Sequence, residues 1–479
     1  MFRSAIWLTL ATVLGLVAGF AREWLLVAAW GAGARTDAFL VAMFLPEAVR
    51  MMLAGGVLAS AALPMYRMLG VRDRGDWLFT QMSALAVIGV LAAVTLHLAA
   101  SWWVRLVGPG LEPAASRSAA SLLQMLAWTL PLLLLHALVA VVLQARERFV
   151  LVGLASLLYN TPAVACLAFR GHAIDGTDLA SAFIAGAVLM LAGVLPAAWS
   201  DGWRIWRGHW RSEYFTSLCR KVGALLLSAS ASQGLALLER MCASWLGEGA
   251  ITVVNLARKL VSLPLVALMS LNQVALARMS AHADNAEGRM QVLRVGLIAT
   301  AAMVVPAATG LVGAAPTLVA WFLPHGMANG PLPMMLAWFA GVIVFGAWNA
   351  LLARYAYAGG DTALPTRCEL LGSAVNAIAL IVLSRACGLP GIALAAILGC
   401  LATGGLLLRA YRLPKIARTA SVLALAMVPL ALAALLLYPL RDKPIWQFAL
   451  ACVHSLLWLG LYAMWLRRTL SEQSMASGQ

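Results

Sequence analysis

The sequence predicts an all-α polytopic membrane protein, and three observations carry this prediction. Of the 479 residues, 63% are apolar and 11% are charged, whereas a soluble domain is about 25% charged. The mean hydropathy is +0.88 over the whole chain, so apolar segments of about 20 residues, each long enough to cross a bilayer core, must recur throughout. The net charge of +15 fits Lys and Arg concentrated in cytoplasmic loops, so we exclude nucleic acid as a partner.

Charged clusters and Gly or Pro residues divide the chain into about 14 predicted transmembrane helices. The predicted helices start near residues 5, 36, 77, 119, 149, 178, 220, 251, 293, 331, 366, 388, 418 and 444. An even number of spans places both termini on one side of the membrane. That side carries 22 of the 34 basic residues, the other side carries 8, and 4 fall inside spans. Because cytoplasmic loops are the basic ones, we expect both termini to be cytoplasmic.

A weak internal repeat predicts how these helices are grouped. The segments around Pro46 and Pro264 are similar and lie 218 residues apart, and those ending at Asn160 and Asn376 lie 216 residues apart. Two similar offsets predict two six-helix lobes, residues 1–212 and 213–415, followed by a helix pair in 416–479. We expect Pro46 and Pro264 to interrupt their spans, either to permit movement or as packing kinks.

Charged residues fall at the start of each predicted lobe, where each costs at least about 2.5 kcal/mol if it lies at mid-span. They are Arg22, Glu23, Asp37, Glu47 and Arg50 in the first lobe, and Glu239, Arg240, Arg258 and Lys259 in the second. If the lobes face each other, these groups line one central cavity that is mostly cationic. A simpler interpretation remains open, because Glu47 and Arg50 are spaced to pair on one helix face. Arg22, Arg35 and Asp37 would then lie at the membrane interface.

A cationic cavity suits a pyrophosphate, because Arg offers two parallel hydrogen bonds to phosphate oxygens. We therefore assign substrate binding to Arg22, Arg50, Arg258 and Lys259. Gating or structural polar roles are assigned to Glu23, Asp37, Glu47, Pro46 and Pro264. His97 and His136 are isolated on apolar spans and are interpreted as packing or hydrogen-bonding residues. Since no catalytic constellation, metal cluster or cofactor motif is visible, we expect neither an enzyme nor a cofactor or metal.

Several segments resemble, in order along nearly the whole chain, the MurJ/MviN family of lipid-linked glycan flippases within the MOP exporter superfamily. They are AREWLLVAAWGAGARTDAFLVAMFLPEAVRMMLAGG, LERMCASWLGEGA, ARKLVSLPL, LLARYAYAGGDTALPT and GLPGIALA. The resemblance implies two six-helix lobes around a cationic cavity and a terminal helix pair that forms a groove for a polyprenyl tail. It also implies substrates carried on undecaprenyl pyrophosphate and a location in the bacterial inner membrane.

By motif, the resemblance assigns cavity and gating positions to Arg22, Asp37, Arg50 and Lys259. The chain departs from the family at three positions, with Leu16 in place of an Arg, Gly55 in place of an acid and Lys259 in place of an Arg. Peptidoglycan lipid II and an exopolysaccharide or O-antigen repeat unit therefore both remain open as substrates.

The source of energy for transport also remains open. Glu239 and Asn376 match two candidate sodium ligands of the family, whereas Leu380 stands where a further oxygen ligand is expected. Coupling to Na⁺, to H⁺ or to the membrane potential therefore remains to be distinguished.

The predicted function is movement of a polyprenyl-pyrophosphate-linked glycan from the cytoplasmic to the outer leaflet by alternating access, with membrane lipid as the surrounding partner. Two alternatives are kept. A membrane-embedded glycan polymerase or ligase would need a large external loop with catalytic Arg or His. A multidrug exporter of related architecture would favour acidic cavity residues, and the predicted cavity is basic.

Overall fold

A computed structural model describes residues 2–54, 57–200, 208–282, 285–323, 327, 330–411 and 417–476. These residues form α-helices and no β-strand, which confirms the predicted all-α class. The helices are α1 (Phe2–Trp30), α2 (Ala34–Ala54), α3 (Val57–Met68), α4 (Val71–Leu98), α5 (Ala100–Val107), α6 (Pro113–Leu126), α7 (Thr129–Ala145), α8 (Phe149–Gly153), α9 (Ala155–Arg170), α10 (Gly176–Ser200), α11 (Ser212–Ser244), α12 (Ala250–Ser280), α13 (Ala286–Phe322), α14 (Leu332–Ala358), α15 (Ala363–Cys387), α16 (Leu389–Ala410), α17 (Ala417–Leu437) and α18 (Pro444–Ala476).

Many of these helices are long and apolar enough to cross a membrane. Among the described residues, 10 helices meet this condition, or 11 if α6 and α7, which meet at a 40° bend, form one broken span. The chain is therefore a polytopic membrane protein, while the larger count of about 14 spans stays a prediction.

Neither Pro46 nor Pro264 ends its helix, whereas a packing kink at either proline stays a prediction. Helix α2 continues through Pro46, and α12 continues through Pro264. A proline removes one backbone hydrogen bond, but neighbouring helices can compensate for that loss inside a membrane bundle. Gly55, which follows the end of α2, lies outside the described residues.

The chain divides by contacts into unit 1, Met1–Thr252, and unit 2, Val253–Gln479. The predicted lobes end at residue 212 instead, and that division stays a prediction. Unit 1 thus contains α1 to α11 together with the first residues of α12. This assignment matters because the described charged contacts of α1, α2 and α11 all lie within unit 1.

In unit 1, α9 packs against α1 and α10, and α7 packs against α4 and α10. Trp77 of α4 and Leu138 of α7 are completely buried in the apolar core between these helices. Helix α10 approaches α9 closely at Gly186, where an added Cβ would collide with the carbonyl oxygen of Tyr159. The absence of a side chain at Gly186 thereby lets α10 pack against the backbone of α9 at Tyr159, next to Asn160.

In unit 2, α13 packs against α14, α17 and α18, and α15 packs against α16. The hydroxyl of Thr317 on α13 donates to Gln447 Oε1 on α18 at 2.5 Å, and Gln447 Nε2 donates to the carbonyl oxygen of Leu437. Large apolar side chains such as Leu435 and Leu456 are exposed on α17 and α18. A hydrocarbon solvent accounts for this exposure, since lipid-facing helix surfaces are apolar.

Candidate functional site

A cluster of charged and polar side chains lies inside unit 1, among otherwise apolar helices. We call it the unit 1 polar cluster, and it consists of Arg22 and Glu23 of α1, Glu47 and Arg50 of α2, Tyr159 and Asn160 of α9, and Glu239 and Arg240 of α11.

Arg22 is the most enclosed cation of this cluster, with 4% of the residue exposed. Its Nη1 donates to Asn160 Oδ1 at 2.9 Å, and its Nη2 donates to Glu23 Oε1 at 2.5 Å. The guanidinium also lies over the ring of Phe183, 5.1 Å from the centroid. These partners offset the hydration that a buried arginine loses, so the Arg22 side chain is enclosed by protein and does not extend into solvent.

Glu47 and Arg50 form the pair that their spacing on α2 predicts. Arg50 Nε donates to Glu47 Oε2 at 2.9 Å and Arg50 Nη2 donates to Glu47 Oε1 at 2.7 Å, which is a two-point contact. The side chains are 15% and 21% exposed for Arg50 and Glu47 respectively. Arg50 also lies over the ring of Tyr159 at 5.0 Å, so the pair is anchored to α9.

Arg240 brings α11 into the cluster. Its Nη1 donates to the carbonyl oxygen of Leu40 at 3.2 Å, and its guanidinium lies 4.5 Å from the ring centroid of Phe44. The carboxylates of Glu23, Glu239 and Glu47 attract it. The described cluster thus balances three arginines with three glutamates, and the mostly cationic central cavity stays a prediction.

Arg50 lines a cavity of about 290 Å³ within unit 1. Helices α2, α3, α7, α8, α9 and α10 form its wall, which is aliphatic except for a few polar side chains: Arg50, His136, Gln144 and Ser156. Arg50 therefore both pairs with Glu47 and borders the cavity. Its guanidinium contacts the Glu47 carboxylate, and the residue also lines the open space. Whether Glu47 and Arg50 border a larger central cavity stays a prediction.

A cysteine at position 50 should react with a water-soluble thiol reagent, because a cavity of this size with several polar side chains in its wall holds water. The measurement needs a background in which the seven native cysteines are replaced. Ala42→Cys on the same helix is the matched control, because Ala42 is completely buried and should stay unlabelled. Complete protection of position 50 in every state, with neutral substitutions tolerated, would instead identify Glu47 and Arg50 as a buried structural pair.

A second charged contact lies at the other end of α2, where Asp37 is 1% exposed. Its Oδ2 accepts from the backbone N–H of Gly249 at 2.7 Å, and its Oδ1 accepts from the N–H and hydroxyl of Thr252 at 2.8 and 2.6 Å. Asp37 therefore caps the N-terminus of α12, where free N–H groups and the helix dipole favour a negative charge. We call this arrangement the Asp37 contact.

Gly249 is required at this position for two reasons. Its φ is +80°, a conformation that only glycine adopts readily. A Cβ there would also lie 2.8 Å from the carbonyl oxygen of Ala32. Close by along α11, the N–H of Gly110 donates to the hydroxyl of Ser244 at 3.0 Å, so a second hydrogen bond ties the α11–α12 turn to the rest of unit 1.

Arg35 is exposed, unlike Arg22 and Asp37, and its position at the membrane interface stays a prediction. Its side chain is 47% exposed and pairs with the exposed Asp175 at 3.1 Å. It also donates to the carbonyl oxygen of Ile174 and lies over the ring of Trp30. These contacts anchor the turn between α1 and α2.

The remaining predicted site residues are divided between the units. In unit 2, Arg258 lies over the ring of Phe339 at 5.1 Å and its neighbour Lys259 is half-buried. Glu239 is buried in unit 1 and Asn376 is buried in unit 2, so their shared role in cation binding stays a prediction. Among the described residues, no group of three or more His, Cys, Asp or Glu side chains could hold a metal ion.

Sequence reasoning missed Tyr159, Phe183 and Thr252 as partners of the predicted charges. Asn160 carried a visible signal, because it marks one end of the internal repeat. The aromatic residues carried none, since an aromatic residue in an apolar helix is more often part of the core.

Comparison with known proteins now adds independent information. A family model described as lipid II flippase MurJ matches residues 26–459. The chain is 26% identical over 398 residues to the probable lipid II flippase MurJ of Haemophilus influenzae, covering 76% of this chain and 77% of that protein. It is 22% identical over 395 residues to the probable lipid II flippase MurJ of Thermotoga maritima, covering 81% and 80%.

Solved structures share the fold. A lipid II flippase MurJ in an inward closed conformation superposes with a TM-score of 0.80 at 17% identity, covering 98% of this chain and 100% of that one. An inward-facing multidrug resistance MATE family transporter of the MOP superfamily gives a TM-score of 0.63 at 13% identity, covering 92% and 99%. Likeness at this level of identity shows that the fold is shared.

Proposed function

Because this chain belongs to the lipid II flippase MurJ family, we propose that it moves an undecaprenyl-pyrophosphate-linked glycan from the cytoplasmic to the outer leaflet of the bacterial inner membrane. Membership in a family of flippases also confirms that the chain is a transporter and not an enzyme, which removes the polymerase or ligase alternative. The direction of movement and the exact glycan are parts of the proposal.

The observation that carries the proposal is the enclosure of Arg22 and Arg50 in apolar helices, each held by a carboxylate and by an aromatic ring. Burying such pairs costs more free energy than packing apolar residues of the same size, so a role beyond stability is expected. A diphosphate offers the same acceptor geometry as the two glutamates and carries more charge. It can therefore replace Glu23 and Glu47 as the partner of the arginines. Arg258 and Lys259 are proposed to complete this site.

Lipid II is the first candidate substrate, since relatives over most of the chain are named lipid II flippases. An exopolysaccharide or O-antigen repeat unit is the second candidate, favoured by Leu16 and Lys259 at positions where the family usually carries arginine. Both share the polyprenyl diphosphate, so the arginine cluster serves either. The two differ only in the glycan.

The proposed mechanism is alternating access between the two predicted lobes. In the state described, the Asp37 contact closes one end of unit 1, at the turn that follows α1. With a cytoplasmic N-terminus, that end faces the outside. Release of the substrate to the outer leaflet then requires this contact to open, while Arg22 and Arg50 return to their glutamates.

The decisive experiment is depletion of the chain in its host, followed by measurement of lipid-linked precursors. We expect a polyprenyl-diphosphate glycan to accumulate at the cytoplasmic leaflet, and its sugar composition identifies the substrate. Accumulation of lipid II favours the first candidate and accumulation of a repeat unit favours the second. If no lipid-linked precursor accumulates, the proposed function is wrong.

The proposed direction requires both termini to be cytoplasmic, as the distribution of basic residues predicts. Reporter fusions at Gln479 and in the loop 204–211 should both report the cytoplasm. Residues 204–207 and Gln479 lie outside the described residues, so only the fusion experiment tests them. An external signal from either fusion would overturn this topology.

A further inference from the structure

The cavity of unit 1 contains a buried histidine that the proposed transport cycle does not use. His136 of α7 is 8% exposed and lines the cavity, and its Nε2 has no hydrogen-bond partner among the described residues. His97, on the apolar helix α4, differs in this respect, because its Nδ1 lies 3.1 Å from the carbonyl oxygen of Gln124. A buried ring nitrogen without a protein partner indicates a partner inside the cavity.

Water is the simplest such partner, since the cavity is large and polar enough to hold it. A cavity of about 290 Å³ far exceeds the ~10–15 Å³ that one water needs on this measure. Gln144 and Ser156 supply further hydrogen-bonding groups on the same wall. Water that reaches His136 also provides a path for a proton.

We propose that the unit 1 cavity is a hydrated proton-binding site in which His136 Nε2 is the acceptor, and that the bound proton weakens the Glu47–Arg50 pair. The proton comes from cavity water and adds to the Nε2 lone pair of a neutral ring that carries its own hydrogen on Nδ1. The product is an imidazolium, and the proton later returns to water. The second part of the proposal rests on the proposed function, because it links the proton to substrate capture.

The charges around the cavity indicate how a proton on His136 would act on the Glu47–Arg50 pair. Arg50 of α2 is the charged group that lines the cavity, and Glu47 holds it by two hydrogen bonds. The lining residues from α3, α8, α9 and α10 are apolar except for Ser156, and α4, which also packs against α7, contributes none. A proton on His136 therefore repels Arg50 and attracts Glu47. Both effects favour release of the Arg50 guanidinium to an anionic substrate.

Linkage makes this coupling reciprocal. If the proton on His136 favours the capture of an anion by Arg50, an anion bound to Arg50 must favour the proton on His136 by the same factor. Inorganic pyrophosphate serves as the probe anion, since it carries the phosphate chemistry without the lipid.

The first experiment measures the proton site directly in the purified full chain. Nitrogen NMR of ¹⁵N-histidine should follow the seven histidines between about pH 3 and 8, a range that extends well below the unperturbed histidine value because burial disfavours a charged ring. His136→Gln identifies the signal, and His97→Gln is the matched control. We expect the Nε2 signal of His136 to titrate, and Arg50→Gln or added pyrophosphate to increase the protonated fraction at a given pH. A signal that stays neutral throughout, or that responds to neither change, would overturn the proposal.

The second experiment separates the proton site from the transport function. Export of the lipid-linked precursor should depend on pH in the parent chain and in His97→Gln, by up to about tenfold per pH unit for one proton. It should be independent of pH in His136→Gln. If His136 titrates but His136→Gln keeps the parent pH profile, the proton does not act on substrate capture. If the parent chain exports nothing, the proposed function fails, whatever the titration shows.

Discussion

The double variant Arg22→Gln/Glu23→Gln should fold like the parent chain and should still fail to export the substrate. Arg22→Gln alone removes the countercharge that lies 2.5 Å from the buried Glu23 carboxylate, and breaking a buried pair costs about 3–5 kcal/mol. The double replacement removes both charges, so most of that stability returns. The cation proposed to bind the diphosphate is nevertheless lost. Thermal unfolding measures the first effect, and accumulation of cytoplasmic lipid-linked precursor measures the second.

A comparison among variants distinguishes a loss of substrate binding from a loss of folding stability. Glu47→Gln/Arg50→Gln is a matched second pair, with the same charge change on α2. Arg22→Lys should reduce export because a point charge replaces the planar fork, whereas Lys259→Arg should be the mildest change. Normal export by the stably folded Arg22→Gln/Glu23→Gln variant would show that Arg22 only supports the fold.

Replacement of Asp37 by asparagine should open the end of unit 1 that the Asp37 contact is proposed to close. The asparagine amide keeps the shape of the side chain but loses the negative charge that accepts three hydrogen bonds of 2.6–2.8 Å. Hydrogen bonds to a charged group contribute about 1.5–3 kcal/mol each, so even one lost bond shifts the equilibrium by about tenfold or more. Export should fall, because alternating access requires one end to be closed while the other is open, and the variant would leave this end open.

Thiol labelling measures this opening. In a chain without native cysteines, Ala250→Cys should react slowly, since Ala250 is buried beside the Asp37 contact, and should react faster when Asp37→Asn is added. Asp178→Asn is the matched control, because Asp178 pairs with Arg170 at an exposed site, where an ion pair contributes at most about 1 kcal/mol. An unchanged labelling rate in the Asp37→Asn chain would contradict the assignment of this contact as a gate.

Local spacing in the sequence predicts part of the site. The Glu47–Arg50 pair follows from an i, i+3 separation on one helix, and the structure confirms it with a two-point contact. The all-α membrane class follows from the recurring apolar segments, because a segment of about 20 apolar residues crosses a bilayer as a helix. Both predictions use only information from residues that are close together in the sequence.

Contacts between distant segments could not be predicted in this way. Asp37 binds backbone N–H groups that lie 212 and 215 residues further along, and a backbone N–H has no signature in a sequence. Arg35 and Asp37 are two residues apart, yet one is exposed and the other buried. A helix turns about 200° over two residues, so the two side chains leave it on nearly opposite sides. Only packing decides which side is covered.

Opening of the Asp37 contact should also change the number of water molecules that the protein binds. In the closed state, a carboxylate and the first N–H groups of α12 satisfy one another without solvent. When the contact opens, each of these groups must bind water, since an unsatisfied buried group is costly. Opening therefore takes up water molecules, and solutes that lower water activity should favour the closed state. If the proposed gate is correct, we expect the osmolarity outside the cell to change the rate of transport, independently of substrate and of ion gradients.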